Sequence, residues 1–517
     1  MEKTQKISWI PLILVSAASF VAALDETFMN VSISQVVKDL DTDVGTIQTI
    51  MSLYTLITAS LMLITSKLQD IIGKRTIFVA GAIIYGAGTL TAALSPNVIV
   101  LFLGWALLEG VGGACMTPCV ISIITGTYDG ERRTSALAIS SAIVGISAGI
   151  GPLYGGIVTS YISWRVGFGL EFLIIIGIIV LHRKIPYFES TAEKSDLDIT
   201  GSILSVLGLL LLIIGILQLE DQRYALSVGL IIGSFIILAA FGFFELRRVR
   251  MDKVPLFDVR LFKYRNLTIG TLIRLSSSIA VGGALFSVSV FLQSALELSA
   301  IRTGLMLLPL TLGMLLVSST ASKFATRFGH KGCMLFGFAV AIVGCLILSR
   351  QFTTDATFLD LAPGMFIFGV GLGFPMSLAT DASLEGIPAE AQNSCSGLSS
   401  IGQTLGMSMG TAIIGVIMLM GAKLGLADAV VNIMGVTDTS AEGIRNAAET
   451  YVEKMGNVDP STLVGGDKET YDQIKNTVIQ DGMGVVMYVS AALMLVSGGL
   501  TCALKGKKKE AKEEKAE

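Results

Sequence analysis

Five ionisable residues lie inside long apolar segments, where a charged side chain is costly. Four are acids and one is a base: Asp25, Glu26, Glu109, Glu171 and Arg274. Inserting such a group into a bilayer costs about 2.5–3.5 kcal/mol, so these residues are candidates for function. Desolvation favours the neutral form of a carboxylic acid, which can then bind and release a proton near neutral pH. The pattern indicates proton exchange, although a hydrogen-bonded helix pair would also explain the two adjacent acids.

The acids lie among side chains suited to a binding cavity. Asp25 and Glu26 point about 100° apart on a helix, so one faces a cavity and the other a neighbouring helix. A stripe at helical spacing contains Trp105, Glu109, Gly112 and Met116. Together with Met29, its aromatic and methionine side chains favour an adaptable apolar cavity. Ordinary packing in a membrane accounts for them equally well.

The composition identifies lipid as the solvent for most of the chain. Of the 517 residues, 52% are hydrophobic and 15% are charged, whereas a soluble protein has about 25% charged residues. An apolar helix of about 20 residues crosses a bilayer with every backbone group satisfied. We predict fourteen such segments, near residues 10–36, 46–67, 77–95, 98–126, 134–158, 164–182, 199–219, 225–245, 266–295, 302–324, 332–350, 358–380, 392–422 and 481–503.

Basic residues predict how the chain crosses the membrane. The first segment follows Lys3 and Lys6 without a small-residue cleavage site, so we expect it to be retained. If the N-terminus is cytoplasmic, most of the 37 Lys and Arg residues fall on cytoplasmic segments, as the positive-inside rule requires. An even number of spans then places both termini in the cytoplasm. We expect a multi-pass protein of the cell (plasma) membrane.

Internal similarity divides the chain into two halves. Residues 66–75 and 322–331 share serine, lysine, glycine and a final basic residue at an offset of 256 positions. Two further matches lie at nearly the same offset: Gly110–Gly112 with Gly369–Gly371, and Gly145 and Gly149 with Gly402 and Gly406. Transporters are often built from such repeats. We therefore predict an all-α polytopic membrane fold of two six-helix bundles with two extra transmembrane helices between them.

The repeat also sets the expected boundaries. They are 1–190 for the N-terminal bundle, 191–246 for the two inserted helices, 247–265 for a cytoplasmic linker, 266–503 for the C-terminal bundle and 504–517 for a charged cytoplasmic tail. The C-terminal bundle includes a polar extracytoplasmic loop at 423–480, with helix-like stretches near 441–455 and 469–478. This loop either forms a helical hairpin over the outer mouth or is passive.

Four stretches carry a resemblance to a known family. They are Leu-Asp-Glu-Thr at 24–27 followed by Asn30, the turn at 67–75, Gly-Pro-Leu-Tyr-Gly-Gly at 151–156, and Trp164, Arg165 and Phe168 at the start of the sixth segment. Over essentially the whole chain they resemble the major facilitator superfamily, specifically its fourteen-span drug:proton antiporter branch. The resemblance implies secondary active transport by alternating access, without a cofactor. It also implies that Asp25 faces the cavity as the protonation site. Glu26 and Glu109 are further candidates for proton coupling because they too are acids inside apolar segments.

Two motifs predict moving parts. A cytoplasmic latch is expected from Asp70, Gly73, Lys74 and Arg75, because the glycine permits a positive φ beside a charge cluster. The antiporter motif of the fifth segment comprises Gly145, Gly149, Gly151, Pro152, Gly155 and Gly156. Small residues let helices approach closely and proline permits a bend, so this helix is expected where the halves rock against each other. Positive-inside topology and ordinary helix packing are the respective alternatives.

The fourth segment departs from the superfamily pattern. The superfamily signature has an arginine at the position of Trp105, usually linked to proton coupling, and a glutamine at that of Glu109. One hypothesis is that Arg274 pairs with Glu109 or Asp25 and takes over this role; the alternative is that Arg274 snorkels to the inner surface. Glu171, where the branch commonly has asparagine, is expected on a peripheral helix. The expected substrate cavity comprises Asp25, Met29, Trp105, Glu109, Met116 and Arg274.

Enzymatic chemistry finds little support in the sequence. Gly-Met-Ser-Met-Gly at 406–410 fits a hydrolase pattern, but it lies in an apolar segment, and the two histidines lie at helix ends. No phosphate-binding loop is present. The six cysteines show neither zinc nor disulfide spacing. We predict no catalytic set, no metal site and no cofactor, and a net charge of -3 gives no sign of a nucleic-acid partner.

These patterns combine into one expected function. We expect proton-coupled export of amphipathic or lipophilic compounds, such as drugs, by a monomer whose partners are the substrate, protons and the lipid bilayer. The alternative is an ion-coupled metabolite or organic-anion porter of the same fold, which an arginine in the cavity would serve.

Overall fold

The chain folds into fourteen long helices, with no strand among the described residues. The computed structural model describes residues 8–504 apart from 191–197, 220–222, 252, 257, 319, 386, 388, 435–442, 445, 449–450 and 452–465. Thirteen helices are long and apolar enough to cross a membrane. The helix Gly130–Tyr161 is the fourteenth. The predicted all-α polytopic fold is therefore confirmed.

The helices are numbered in chain order. Those of the first half are α1 Ile10–Phe28, α2 Val44–Ile72, α3 Lys74–Ala93, α4 Val98–Thr127, α5 Gly130–Tyr161 and α6 Trp164–Leu181. The inserted pair is α7 Ile199–Leu217 and α8 Tyr224–Arg250. Those of the second half are α9 Arg265–Val290, α10 Ala300–Ser318, α11 Ala321–Leu348, α12 Phe358–Leu384, α13 Ala389–Asn432 and α14 Gly466–Cys502. A 3-10 turn and the short helix Ile33–Asp39 follow α1.

Polar residues fix where several helices begin. The side chains of Asp43, Asn97, Ser163 and Asp198 each accept a hydrogen bond from a backbone N–H in the first turn of α2, α4, α6 and α7. Such caps satisfy donors that a helix leaves unpaired at its start. Successive helices run antiparallel, so α1 begins and α14 ends at one face, called here the terminal face. The α1–α2 connection lies at the other, called the opposite face.

The sequence repeat corresponds to a repeated backbone turn. Gly73, between α2 and α3, has φ 103°, and Gly329 has φ 77°. Gly329 interrupts α11, so that Ala321–Phe328 and the rest of α11 are separate helical pieces. Glycine adopts a positive φ without the steric cost that other residues incur. The positive φ predicted for Gly73 is confirmed, and its counterpart 256 positions later shares it.

The inserted helices pack on each other and on both halves. The hydroxyls of Ser227 and Ser234 on α8 donate to the carbonyls of Gly215 and Gly208 on α7, at 2.6 and 2.8 Å. Residues from α2, α7 and α13 share one apolar cluster: Leu56, Leu209, Leu212, Ile213, Ile216, Leu217 and Ala412. The pair therefore lies over a seam between the two halves.

Hydrogen bonds join the two halves near the opposite face. The Gln293 amide of the second half accepts from the Ser34 N–H at 2.9 Å and donates to the Asn30 carbonyl at 2.6 Å. Further bonds link Gln48 with Thr411, Ser52 with Ser408 and Ser160 with Ile301. These pairs connect the 3-10 turn and short helix after α1 with the π-helical turn after α9, α2 with α13, and α5 with α10, and they hold the opposite face closed.

The helices extend into the loop predicted at 423–480. Helix α13 continues to Asn432 and α14 already begins at Gly466. The predicted helical stretch 469–478 is confirmed as part of α14, whereas most of 441–455 lies outside the described residues. The extensions pack closely, since a Cβ on Gly421 would lie 3.0 Å from the Gly482 Cα. Two paired helices thus extend beyond the predicted transmembrane segments on this side.

Gly304→Ala should loosen the closed seam. A Cβ at position 304 would collide with the Pro152 carbonyl oxygen of α5, and overpacking of this kind costs about 1–3 kcal/mol, or roughly 5- to 150-fold in a conformational equilibrium. We expect lower cross-linking by a short bifunctional thiol reagent between Ser160→Cys and Ile301→Cys, in a background without the native cysteines. Gly233→Ala is the control, because a Cβ there meets nothing within 4 Å. Equal cross-linking in both variants would contradict the role of Gly304.

Candidate functional site

The two adjacent acids of α1 face different environments. Asp25 is fully buried inside the first bundle. Glu26 instead lines a small pocket between the two halves. The angle between neighbouring helical positions separates the two side chains as predicted, but the assignment is reversed, since Asp25 was expected to face the cavity.

Trp105 connects these environments. Its indole Nε1 donates a hydrogen bond of 2.8 Å to Asp25 Oδ2, and its ring stacks on Tyr54 with 5.9 Å between centroids. The same ring lines the pocket. Trp105 lies in a π-helical stretch of α4, Phe102–Glu109. Such stretches occur mostly where function requires a local change of side-chain direction.

Three carboxyl groups meet behind Trp105. Asp25 of α1, Glu109 of α4 and Glu171 of α6 each have an oxygen within 4.8 Å of the others, and all three side chains are fully buried. Neither oxygen of Glu109 or of Glu171 has a hydrogen-bond partner among the described residues. None of the ion pairs between described residues includes these acids. We call them the carboxyl triad.

Glycines and aromatic rings bring the triad together. A Cβ on Gly88 of α3 would lie 2.6 Å from the Glu109 Cγ, and one on Gly112 would lie 2.7 Å from the Tyr85 Cα. Helices α3 and α4 therefore touch through their backbones at this level. One turn before Glu171, Phe168 packs edge-on against Trp105 at 5.9 Å. This contact brings one face of α6 to the site, while most of the helix remains exposed at the periphery of the bundle, as predicted.

The central pocket is small and carries one acid. Its volume is about 20 Å³, which is room for about one water molecule. It is lined by Glu26, Asn30, Met51, Tyr54, Thr55, Trp105, Gly282, Leu285, Met407 and Thr411. Glu26 is the only charged residue among them, beside aromatic rings and methionines. A lipophilic compound with a positive charge has matching chemistry.

The residues predicted for the cavity are divided among the pocket, the triad, two apolar clusters and the second bundle. Trp105 lines the pocket, whereas Asp25 and Glu109 belong to the triad. Met29 is packed in the apolar cluster of Phe28, Tyr54 and Trp164. Met116 lies in another cluster with Tyr85 and Ile175. Both methionines fill space between helices of the first bundle. This agrees with the alternative that they are ordinary packing residues and do not line a binding cavity.

Arg274 lies in the second bundle. Its guanidinium donates to Thr380 Oγ1 of α12 and Gln403 Oε1 of α13. The hypothesised pairing with Glu109 or Asp25 is not formed, because α9 turns this side chain toward its own half. Snorkelling to the surface is not observed either. Arg274 instead ties three helices of one bundle together.

The predicted latch residues lie at the terminal-face turn. A Cβ on Gly73 would lie 3.1 Å from the Phe188 carbonyl oxygen, and the Lys74 ammonium lies 5.3 Å from the centre of the Phe188 ring. Lys74 also donates to the Ser122 carbonyl at 3.4 Å. Asp70 and Arg75 form no ion pair with each other within 4.0 Å among the described residues. In this conformation the turn packs within its own bundle.

The glycines of α5 face both neighbours of this helix. A Cβ on Gly151 or Gly155 would collide with α1 at Thr27 or Phe28. On the other side, a Cβ on Gly149 would lie 2.8 Å from Leu315, and one on Gly156 would lie 2.7 Å from the Ala300 carbonyl. Pro152 presents its carbonyl to Gly304, and Gly145 lies on the same helix. Helix α5 is thus held between α1 and α10 of the other half.

Sequence reasoning underrated one residue of the site and missed two others. Glu171 was among the five candidate residues but was not assigned to proton coupling, although an acid where the branch commonly has asparagine was a usable signal. Tyr54 and Tyr85 were not singled out, because tyrosine in an apolar segment is unremarkable. Their hydroxyls lie beside Asp25 and Glu109, respectively. Only the packing of α2 and α3 on α4 reveals them.

The chain is similar to known membrane transporters. The family model described as Major Facilitator Superfamily matches residues 15–411. The tetracenomycin C resistance and export protein of Streptomyces glaucescens is 27% identical over 515 residues, which are 95% of this chain and 90% of the relative. The multidrug transporter protein MdtP of Bacillus subtilis is 26% identical, with 96% and 94% covered. The riboflavin transporter RibZ of Clostridioides difficile is 25% identical, with 79% and 87% covered.

Arg274→Lys should destabilise the second bundle. Lysine carries its charge at one point and does not reproduce the fork that reaches Thr380 and Gln403 together. Loss of a hydrogen bond to a charged group costs about 1.5–3 kcal/mol, so the midpoint of thermal unfolding in detergent should fall. Arg302→Lys is the matched control, since Arg302 is exposed in the first turn of α10. Equal unfolding midpoints for the two variants would show that Arg274 is not a structural tie.

Proposed function

This chain belongs to the Major Facilitator Superfamily, and we propose that it is a secondary active transporter that exports amphipathic cations in exchange for protons. The superfamily match spans most of the fourteen-helix fold, and the members of this superfamily are transporters. Relatives that resemble the chain over most of its length are named as drug-resistance and multidrug proteins. The residues of the pocket supply the substrate class.

The position of Glu26 carries the proposal. It is the only charged residue lining the pocket between the halves, where Tyr54, Trp105 and Met407 surround it. Aromatic faces and a carboxylate attract a lipophilic cation, and methionines adapt to varied shapes. The Glu26 carboxylate is the counter-ion of such a cation in the pocket. The proton-binding acids Asp25 and Glu109 lie one layer behind, so that release of their protons and binding of the cation are linked.

Alternating access requires the closed seam to separate. The bonds of Gln293, Gln48 and Ser52 hold the opposite face together in the present conformation. We take this face as extracytoplasmic, with both termini in the cytoplasm of a bacterial-type plasma membrane, which follows the placement of Lys and Arg. The structure then represents a state closed to the outside. The backbone contacts of α5 allow the two halves to rock against each other. The turn at Gly73–Arg75 latches the opposite conformation, which is open to the outside. The transporter acts as a monomer.

The alternative is a metabolite or organic-anion porter of the same fold. Similarity to a protein named as a riboflavin transporter supports it. The predicted basis for it, an arginine in the cavity, is weakened because Arg274 is engaged by Thr380 and Gln403. Transport of anions in preference to cations would favour this alternative.

Glu26→Gln should abolish selectivity for cations. We expect efflux of a cationic dye from proteoliposomes, driven by an imposed pH gradient, to fall at least about tenfold, because the pocket loses its only charge; a tenfold effect corresponds to about 1.4 kcal/mol. Export of an uncharged lipophilic dye should change little, and Glu26→Asp should keep most of the cation transport. Glu297→Gln, in the exposed α9–α10 connection, is the control.

The wild-type protein tests the coupling. Dye efflux that persists when a protonophore removes the pH gradient would contradict antiport. Dye that moves in the same direction as the proton would reverse the proposed exchange. Unchanged cation transport by Glu26→Gln would remove the assigned role of the pocket.

A further inference from the structure

The pocket and the carboxyl triad are separated by one ring. Trp105 lines the pocket on one side and donates its indole N–H to Asp25 on the other, at 2.8 Å. Tyr54 stacks on the same ring and also lines the pocket. The triad is therefore next to the substrate position without belonging to it.

None of the described residues that face the triad carries a positive charge to offset its three carboxyl groups. The titratable groups that face it come from α1 to α6: Asp25, Glu26, Tyr54, Tyr85, Glu109, Tyr154 and Glu171. These are acids and phenols, with no lysine, arginine or histidine. Like charges within 4.8 Å of one another, out of contact with water, do not all ionise together. At least one carboxyl group, and more stably two, must carry a proton.

The balance of hydrogen-bond donors and acceptors at the site also indicates that protons are bound there. The Tyr85 hydroxyl is fully buried beside Glu109 and has no hydrogen-bond partner among the described residues. The four oxygens of Glu109 and Glu171 are likewise unpartnered there. Ionised carboxylates only accept hydrogen bonds, whereas a protonated carboxylic acid also donates one. Beside the Trp105 N–H, the available donors among the described residues are the hydroxyls of Tyr54 and Tyr85, which are too few for five unpartnered carboxyl oxygens. Protons on Glu109 and Glu171 would supply the missing donors.

We propose that Asp25, Glu109 and Glu171 bind protons as a single site and that Glu171 makes it a two-proton site. This inference rests on the proposed function and specifies its stoichiometry. In the closed bundle Asp25 keeps its charge, since the Trp105 N–H stabilises the anion, and the two glutamic acids are protonated. When the bundle opens, water screens the carboxylates, and each O–H bond breaks with transfer of its proton to water. Trp105 is a positioning residue that links this site to the pocket.

Glu171→Gln should lower the number of protons exchanged per substrate. Glutamine keeps the size of the side chain but holds no exchangeable proton at this position. With the membrane potential clamped at zero, a pH difference of one unit sustains a substrate ratio of about tenfold for each coupled proton. Using tetraphenylphosphonium as the probe in proteoliposomes, we expect a steady-state ratio near 100-fold for the wild type and near tenfold for Glu171→Gln.

Two further variants separate a proton-binding role from a structural one. Glu171→Asp keeps an acid and should retain a ratio near that of the wild type, and Glu297→Gln should match the wild type. A Glu171→Gln ratio equal to the wild-type ratio would overturn the inference. Equal losses in Glu171→Gln and Glu171→Asp would also overturn it, because they would assign Glu171 a packing role. A wild-type ratio that ignores the pH gradient would instead refute the proposed function itself.

Trp105→Phe tests the link to the pocket. Phenylalanine keeps a ring against Tyr54 but removes the donor that stabilises the Asp25 anion, so the triad as a whole holds its protons more tightly. Since protons and the cationic probe exclude each other, the pH at which tetraphenylphosphonium binding to the purified protein is half-maximal should rise. An unchanged midpoint with retained binding would overturn the role of Trp105.

Discussion

The hydrogen bond between the Trp105 indole and the Asp25 carboxylate joins the two environments on which this transporter depends. It connects α1 with α4 at 2.8 Å and places one aromatic ring between the pocket and three buried acids. Buried carboxylates in a membrane bundle are tolerated when protons or hydrogen bonds neutralise them. The arrangement keeps the acids dry yet within one side chain of the substrate position, so charge in the pocket can influence charge in the triad.

The close approach of backbones makes this geometry attainable. Gly88 and Gly112 bring α3 against α4, and Gly155 and Gly156 hold α5 between α1 and α10. Without an aqueous driving force between helices, association in lipid relies on such packing and on hydrogen bonds between helices. Glycines of the first bundle thus both assemble the triad and, on α5, form part of the surface along which the halves meet. The proposed binding of protons and the proposed movement of the halves would therefore share one bundle.

The inserted pair α7–α8 explains why the fold has fourteen long helices. Leu212 of α7 shares an apolar cluster with Leu56 of α2 and Ala412 of α13. It thus contacts both halves at the seam where Ser52 and Ser408 are bonded. A pair of helices in this position moves with one half and slides on the other, or restrains both. Its contacts with α2 and α13 place it beside the moving parts of the bundle, although none of its residues lines the pocket.

The sequence by itself determined the number of long helices, the repeat at 256 positions, the positive φ of Gly73 and the five ionisable residues that matter. Each follows from local composition, helical length or backbone sterics, which a linear pattern records. Tertiary structure decided that Glu26 lines the pocket, that Glu171 joins Asp25 and Glu109, and that Arg274 is bonded in its own bundle. Those outcomes depend on the rotation of each helix about its axis. That rotation is set by packing between segments far apart in the chain, through contacts such as Gly88 with Glu109 and Phe168 with Trp105.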